Sequence, residues 1–293
     1  MEKNSKFRPK LPPWIRVRVS CGKERNEVDS ILKGLRLNTV CESAECPNLN
    51  ECWHRKTATF MILGSQCTRN CKFCAVSHSP APPPPEADEP ARVAEAVKKM
   101  KLSYVVVTSV TRDDLPDGGA SHFAAVIREL YKAVNNVKVE VLTPDFNGSI
   151  DALKTVLDEK PSVFNHNVET VERLSSQIRS RANYRRSLEL LSNAVRIGGG
   201  IPVKSGLMAG LGETDEEILN SIRDIRNTGA SILTIGQYLP PSAEHWQLQR
   251  YVEPEKFKEW GEYAYSLGFS FVASSPLVRS SYNAEELLEK KLF

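Results

Sequence analysis

Six of the seven cysteines in this 293-residue chain fall into two triplets, Cys41, Cys46 and Cys52, then Cys67, Cys71 and Cys74. The second triplet reads Cys67-Thr-Arg-Asn-Cys71-Lys-Phe-Cys74, a C-x3-C-x-aromatic-C run. Three thiolates this close in sequence can hold one face of a cubane iron–sulfur cluster on a single loop. A cubane wants a ligand on each of its irons, so three cysteines leave one iron open. An open iron can bind a small molecule and do chemistry on it. Two triplets imply two clusters, and an enzyme. Zinc is the competing reading, since His54 or His78 could complete a Cys3His site. Neither triplet, however, has the paired C-x2–4-C knuckles usual for zinc. Cys21 is left over as an ordinary thiol.

The rest of the chain has to position these cysteines, and its composition permits that. The length suits one large α/β domain, and 41% hydrophobic with 26% charged residues is ordinary for a globular protein. A net charge of +3 points to no nucleic-acid partner. Lys3, Lys6, Arg8, Lys10, Arg16 and Arg18 gather at the start as a solvated arm. No apolar stretch reaches membrane-span length, and no signal-peptide core precedes Pro9, Pro12 and Pro13, so a cytoplasmic protein without a membrane contact is expected. Bunched cysteines in an odd number make a poor disulfide framework and agree with that compartment.

Residues 1–57 read as irregular. Strands are then predicted at 59–63, 104–108, 137–142, 163–168, 201–208, 232–238 and 269–273. Helices are predicted at 88–100 (capped by Asp88), 120–134, 150–157, 169–174, 184–195, 215–227 and 255–267, while the proline-rich stretch 79–85 must be extended. Strand alternating with helix means parallel βα units. The expected fold is α/β, a partial (β/α)6 TIM-like barrel over 58–276, with an N-terminal cysteine-rich extension at 1–57 and a C-terminal segment at 277–293. In such barrels chemistry sits at the C-terminal ends of the strands. The second triplet, Ser109–Asp114, Asn165–Glu169 and Gly206–Glu213 all fall there.

The C-x3-C-x-aromatic-C run after the first strand resembles the signature of the radical S-adenosylmethionine (SAM) superfamily. That resemblance implies a 4Fe–4S cluster on Cys67, Cys71 and Cys74 whose open iron chelates the amino and carboxylate groups of SAM, with Phe73 near the adenine. Gly206-Leu-Met208-Ala-Gly210-Leu-Gly-Glu213 resembles the superfamily's G-x-I-x-G-x-x-E element beside the adenine. Thr108 and Ser109 occupy the strand end that takes the SAM amino group, and Asn165, Asn167 and Glu169 suit ribose hydroxyls. His166, between them, reads equally as a structural histidine or a proton-transfer group.

The first triplet narrows the family. Cys41-x4-Cys46-x5-Cys52-Trp53 followed by Thr57-Ala-Thr-Phe-Met-Ile-Leu-Gly64 is similar to the lipoyl synthase family. The likeness continues through Thr108-Ser-Val-Thr-Arg-Asp-Asp114, Asp117-Gly-Gly-Ala120, Val163-Phe-Asn-His-Asn167, Lys204-Ser-Gly-Leu-Met208, Leu233-Thr-Ile-Gly-Gln-Tyr238 and Pro276-Leu-Val-Arg-Ser-Ser-Tyr282. It spans Pro13 to Tyr282 and brings Lys204 into the cofactor set. It also implies an auxiliary 4Fe–4S cluster on Cys41, Cys46 and Cys52, with Ser281 of the terminal motif as fourth ligand. Ser275 before Pro276, Pro240 after Leu239 and Arg179-Ser-Arg-Ala182 depart from the family pattern without touching an iron ligand.

The implied reaction inserts two sulfurs at C6 and C8 of an octanoyl chain on a lysine of a lipoyl-dependent protein. Those methylenes are unactivated, so no side-chain acid or base can ionise them, and a radical made from SAM is required. The implied sulfur source is the auxiliary cluster. The implied partners are a lipoyl domain of an oxoacid dehydrogenase E2 or a glycine cleavage H protein, a ferredoxin- or flavodoxin-type electron donor, and an iron–sulfur carrier. Biotin synthase, the nearest alternative, takes its second cluster's cysteines from barrel strands, and no cysteine follows Cys74 here. A non-catalytic iron–sulfur carrier would have no use for the glycine-rich element.

Overall fold

Each β-branched apolar run becomes a parallel strand and each amphipathic segment a helix behind it. The computed structural model describes residues 11–15, 23–44, 46–54, 58–281 and 284. The basic arm, Cys21 and Tyr282 lie outside the described residues. In chain order the strands are β1 (Asn38–Thr39), β2 (Thr59–Ile62), β3 (Gln66–Cys67), β4 (Ser77–His78), β5 (Tyr104–Ser109), β6 (Lys138–Leu142), β7 (Val163–Asn165), β8 (Val203–Ala209), β9 (Ile232–Gln237) and β10 (Phe271–Ser274). One sheet runs β1-β2-β5-β6-β7-β8-β9-β10, and β3 pairs with β4 apart from it. From β2 to β10 all neighbours are parallel, while β1 is antiparallel to β2. The ends of this order are not neighbours among the described residues, so the sheet is an open, partial barrel.

Both faces of the parallel strands are covered, as the continuous apolar runs require. Val105 and Val107 join the large core under the helices. Tyr104 and Val106, pointing the other way by strand alternation, join Val163, Ile232, Phe271 and Ala284 in a separate cluster. The helices Glu89–Met100, Ala120–Ala133, Ile150–Leu157, Glu172–Ile178 with Tyr184–Ile197, Asp215–Asn227 and Pro254–Ser266 follow successive strands from β2 to β9. A reciprocal Thr214–Glu217 capping box starts the fifth of these units.

Three expectations need correction. The extension is not irregular: Lys23–Gly34, Val40–Ser43 and Leu49–His54 are helical, and Val28, Leu32 and Trp53 are buried in the main core. Asp88 stands at the N-cap position without a capping bond; its carboxylate turns to Arg92, 3.3 Å from Nη2. Strand β7 stops at Asn165 instead of running to 168. Glu169 has φ 70°, outside the strand region, and regains the sheet only through a bridge to Leu207. The helix expected at 169–174 therefore starts later, at Glu172.

Candidate functional site

Strand β2 ends under the cysteine loop, and four parts of the barrel tie that loop down. Thr68 N–H and Oγ1–H both donate to Thr111 O at 3.0 Å, and Asp113 N–H donates back to Thr68 Oγ1. The Arg69 guanidinium forms a fork on Asp113, 2.8 Å to each oxygen. It also reaches Asp145 Oδ1 at 2.7 Å and Asn147 Oδ1 at 2.8 Å. The far oxygen of Asp145 takes Arg186 Nε at 2.8 Å. Two carboxylates thus share two guanidiniums with little access to water, an arrangement that needs all four present. Lys72 N–H donates to Ile178 O, and Trp246 N–H to Lys72 O, both at 2.8 Å. His245 Nε2 lies 3.2 Å from Cys74 O.

The thiols themselves are half-buried. Burial pushes Cys74 up to about 12 and Cys71 above its usual range, so forming thiolates there depends on the metal that displaces their protons. Arg69 and Thr111 N–H groups point at Cys67 Sγ, 3.4 and 3.3 Å away, the kind of bond by which a protein tunes a cluster's potential. Among the described residues no three His, Cys, Asp or Glu side chains converge on one metal ion. A cubane asks for something else, with each thiolate on its own iron. Three separated thiols on one lashed loop fit that demand.

At the strand ends facing this loop several buried polar atoms have no protein partner: Ser109 Oγ, Asn165 Oδ1 and Asn167 Oδ1. Such atoms are costly unless something else bonds them, so the mouth is suited to a polar ligand. Gly206 lies between Asn167 and Thr234, and a Cβ there would sit 2.7 Å from Asn167 Oδ1. Gly210 has φ 101°, and Glu213 receives its N–H at 2.7 Å and that of Leu211 at 2.8 Å. Glu213 therefore holds the turn rather than facing the mouth. Met208 and Phe73 are partly buried against the core. Burial raises the Glu169 carboxyl above its ordinary range.

Two expected groups are already occupied. Thr108 Oγ1 donates to Leu142 O at 2.9 Å. Lys204 Nζ meets both oxygens of buried Glu140, at 2.8 and 3.1 Å, and that carboxylate also receives Tyr104 Oη–H at 2.6 Å and Asn165 Nδ2 at 2.9 Å. These four side chains form a polar floor under the mouth. His166 is a satisfied structural residue. Its Nδ1 faces Thr143 O and its Nε2 faces Ser187 Oγ, each at 2.9 Å, and burial pushes it down to about 4.

In the first triplet Cys41 and Cys52 lie on the short helices of the extension, with Cys46 between them. Burial pushes Cys41 up to about 11. The C-terminal tail comes to the same place. Asn48 Nδ2 donates to Leu277 O at 2.7 Å, and Arg279 is close enough to Cys46 to feel its charge. Ser275 N–H donates to Ile235 O at 3.2 Å, so the departure at this position leaves the tail joined to β9. Ser280 accepts a 2.6 Å bond from Asn167 Nδ2, and Ser281 is the next residue. The tail is therefore bonded to both the extension and the barrel mouth.

Sequence reasoning overlooked Arg69, Asp145, Glu140 and the 242–246 strap. Glu140 had a signal, a carboxylate flanked by two valines inside the strand Lys138–Leu142. A buried arginine between two cysteines has none.

Comparison with known proteins finds relatives for nearly the whole chain. The profile of the Radical SAM superfamily matches residues 61–225, and that of the N-terminal domain of lipoyl synthase of the Radical SAM family matches residues 1–46. Lipoyl synthase from Alkaliphilus metalliredigens is 52% identical over 279 residues, 95% of this chain and 96% of that one. Lipoyl synthase from Caldanaerobacter subterraneus subsp. tengcongensis is 54% identical over 274 residues, 94% and 95% of the two chains. Among solved structures, the FeFe-hydrogenase maturase HydG from Carboxydothermus hydrogenoformans has a TM-score of 0.58 at 13% identity, over 92% of this chain and 79% of that one. That last likeness is one of fold.

Proposed function

Because the chain belongs to the lipoyl synthase family of radical SAM enzymes, we propose that Cys67, Cys71 and Cys74 hold the 4Fe–4S cluster that binds SAM. In the same reading Cys41, Cys46 and Cys52, with Ser281, hold the auxiliary cluster that supplies sulfur. The enzyme inserts two sulfur atoms, at C6 and C8 of an octanoyl-lysine on a carrier protein, using SAM and 4Fe–4S clusters. When bound, the clusters supply reductive cleavage of SAM and a source of sulfide, which no side chain could provide.

What the chain contributes is placement. Arg69 and Thr68 keep the cysteine loop over the end of β2. Ser109, Asn165 and Asn167 offer the buried polar atoms that a SAM amino group and ribose would satisfy, and Gly206 leaves room for them. The Glu140–Lys204 pair closes the floor beneath, so Lys204 would act on SAM only through Asn165 and the shape of the mouth. Tail residues 277–281 draw the extension toward that mouth. The carrier would be a lipoyl domain of an oxoacid dehydrogenase E2 or a glycine cleavage H protein, and a separate iron–sulfur carrier would rebuild the spent cluster in the cytoplasm. No helix among the described residues is long and apolar enough to cross a membrane.

The observation that carries this reading is a three-thiol loop, lashed to the barrel, beside unpartnered buried polar atoms at the strand ends. Anaerobically reconstituted protein given reductant, SAM and an octanoyl-lysyl peptide should release 5′-deoxyadenosine and form first a monothiolated peptide, then lipoyl-lysine. A protein that only stores clusters releases no 5′-deoxyadenosine. Hydroxyl oxygen is a poorer partner than thiolate for cluster iron, so Ser281 would be the ligand most easily released. Ser281→Cys should accordingly keep its iron yet give little lipoyl product. Undiminished product from that variant removes the lability argument.

A further inference from the structure

Between its buried anchors the cysteine loop reaches the surface. Asn70 and Lys72 are exposed, and the backbone of Lys72 is held from both sides, by Ile178 O and by Trp246 N–H. The Lys72 ammonium lies 5.4 Å from the centre of the Trp246 ring, and no carboxylate pairs with it among the described residues. The segment that receives the Lys72 N–H continues to Arg181, which is exposed and has φ 58°. Arg179, between them, turns inward to Val168 O at 3.0 Å. Arg181, like Lys72, has no carboxylate on it among the described residues. The strap residue Glu244 is exposed and forms an ion pair with neither. The outside of the loop is thus a positively charged, solvent-facing surface with a half-buried tryptophan in it. The atoms suited to SAM are buried at the mouth, so SAM and a protein on Lys72 could reach the loop at the same time.

Each reductive cleavage of SAM takes one electron from outside the chain. The electron carrier is oxidised by one electron, and that electron is taken up as the S–C5′ bond breaks to methionine and a 5′-deoxyadenosyl radical. We propose that the face formed by Lys72, Arg181 and Trp246 is the docking surface for an acidic one-electron carrier protein. The inference rests on the assignment of Cys67, Cys71 and Cys74 to the SAM-binding cluster. Charge of one sign against a partner of the other chiefly raises the association rate and makes it fall with salt.

The test compares two reductants on the full-length reconstituted enzyme, flavodoxin hydroquinone and dithionite, with release of 5′-deoxyadenosine as the readout. Lys72→Glu and Arg181→Glu should each lower kcat/KM for flavodoxin by about tenfold. Both should keep wild-type iron content and wild-type release with dithionite, and raising the salt should slow the flavodoxin-driven wild-type reaction. If Lys72→Glu disturbs its cysteine neighbours and loses the dithionite reaction as well, Arg181→Glu, outside the triplet, decides. Flavodoxin-driven rates equal to wild type in Arg181→Glu, with dithionite rates also equal, would overturn the docking surface. Wild-type protein inert with dithionite would overturn the cluster assignment beneath it, and the docking surface with it.

Discussion

The two cysteine triplets are held in opposite ways. Around the second, Thr68 and Arg69 bond to the 111–113 loop, Lys72 to Ile178, and Lys72 and Cys74 to the 245–246 strap, while one buried guanidinium spans Asp113, Asp145 and Asn147. In the first, Cys41 and Cys52 sit on helices of four and six residues, with Cys46 between them. Among the described residues its ties to the barrel include the two-residue strand β1, Cys41 beside Thr59 of β2, the packing of Trp53 and a bond from Asn48 to the tail. Short helices of this kind have little stability of their own. A cluster that must survive many turnovers gains from a rigid seat. One that surrenders its sulfur and is rebuilt gains from a seat that can open.

The largest effect expected inside this contrast is at Arg69. Arg69→Ala strips a guanidinium from two carboxylates, one of them fully buried, and breaking such a pair costs about 3–5 kcal/mol. The melting temperature should fall, and iron content should drop by the SAM-binding cluster while the auxiliary cluster stays. Loss of both clusters together would mean the triplets are not independent. Arg69→Lys, which keeps the charge but not the fork, should fall between.

Next in size is a pH effect confined to the barrel. His166 is buried and neutral, pushed down to about 4 in the fold against about 6.5 unfolded. A depressed folded value means the stabilisation is complete above the unfolded value and is lost as pH falls toward the folded one. Between pH 6.5 and 4 urea stability should decline by about 3 kcal/mol from this group, and His166→Gln should decline less over the same window. Equal slopes in the two proteins would remove His166 from the account. The smallest effect sharpens the other side. Asn48→Ala forfeits one bond to Leu277 O, worth about 1 kcal/mol, and should speed hydrogen exchange in residues 277–281 and the loss of the auxiliary cluster, with the SAM-binding cluster unmoved.

The same contrast governs what the sequence could reveal. The cysteine spacing and the β-branched strands were legible because both signals are local. The open barrel and the placement of the triplet at the end of β2 followed from them. The helices Val40–Ser43 and Leu49–His54 were not legible, since tertiary contacts such as Trp53 in the core hold them rather than propensity. No pattern announces the early end of β7 at Asn165 or the positive φ at Glu169 that precedes the late helix start. Buried ions were hidden for a different reason. Arg69 looks like a solvated charge, and Lys204 like a cofactor contact, until Asp145 of the loop after β6 and Glu140 of β6 arrive beside them. Ser281 was reachable only through the family resemblance; the structure shows its neighbours Leu277 and Ser280 bonded to Asn48 and Asn167.

The central claim is that the two triplets hold separate clusters with separate tasks. It is tested most directly by measuring 5′-deoxyadenosine and lipoyl-lysine side by side in Cys71→Ala and Cys46→Ala, each anaerobically reconstituted and given dithionite, SAM and an octanoyl-lysyl peptide. Cys71→Ala should yield neither product. Cys46→Ala should still cleave SAM and yet form no monothiolated peptide and no lipoyl ring, with its iron lower by about one 4Fe–4S cluster. Lipoyl-lysine at the wild-type level from Cys46→Ala would contradict the claim, because sulfur would then come from somewhere other than the first triplet.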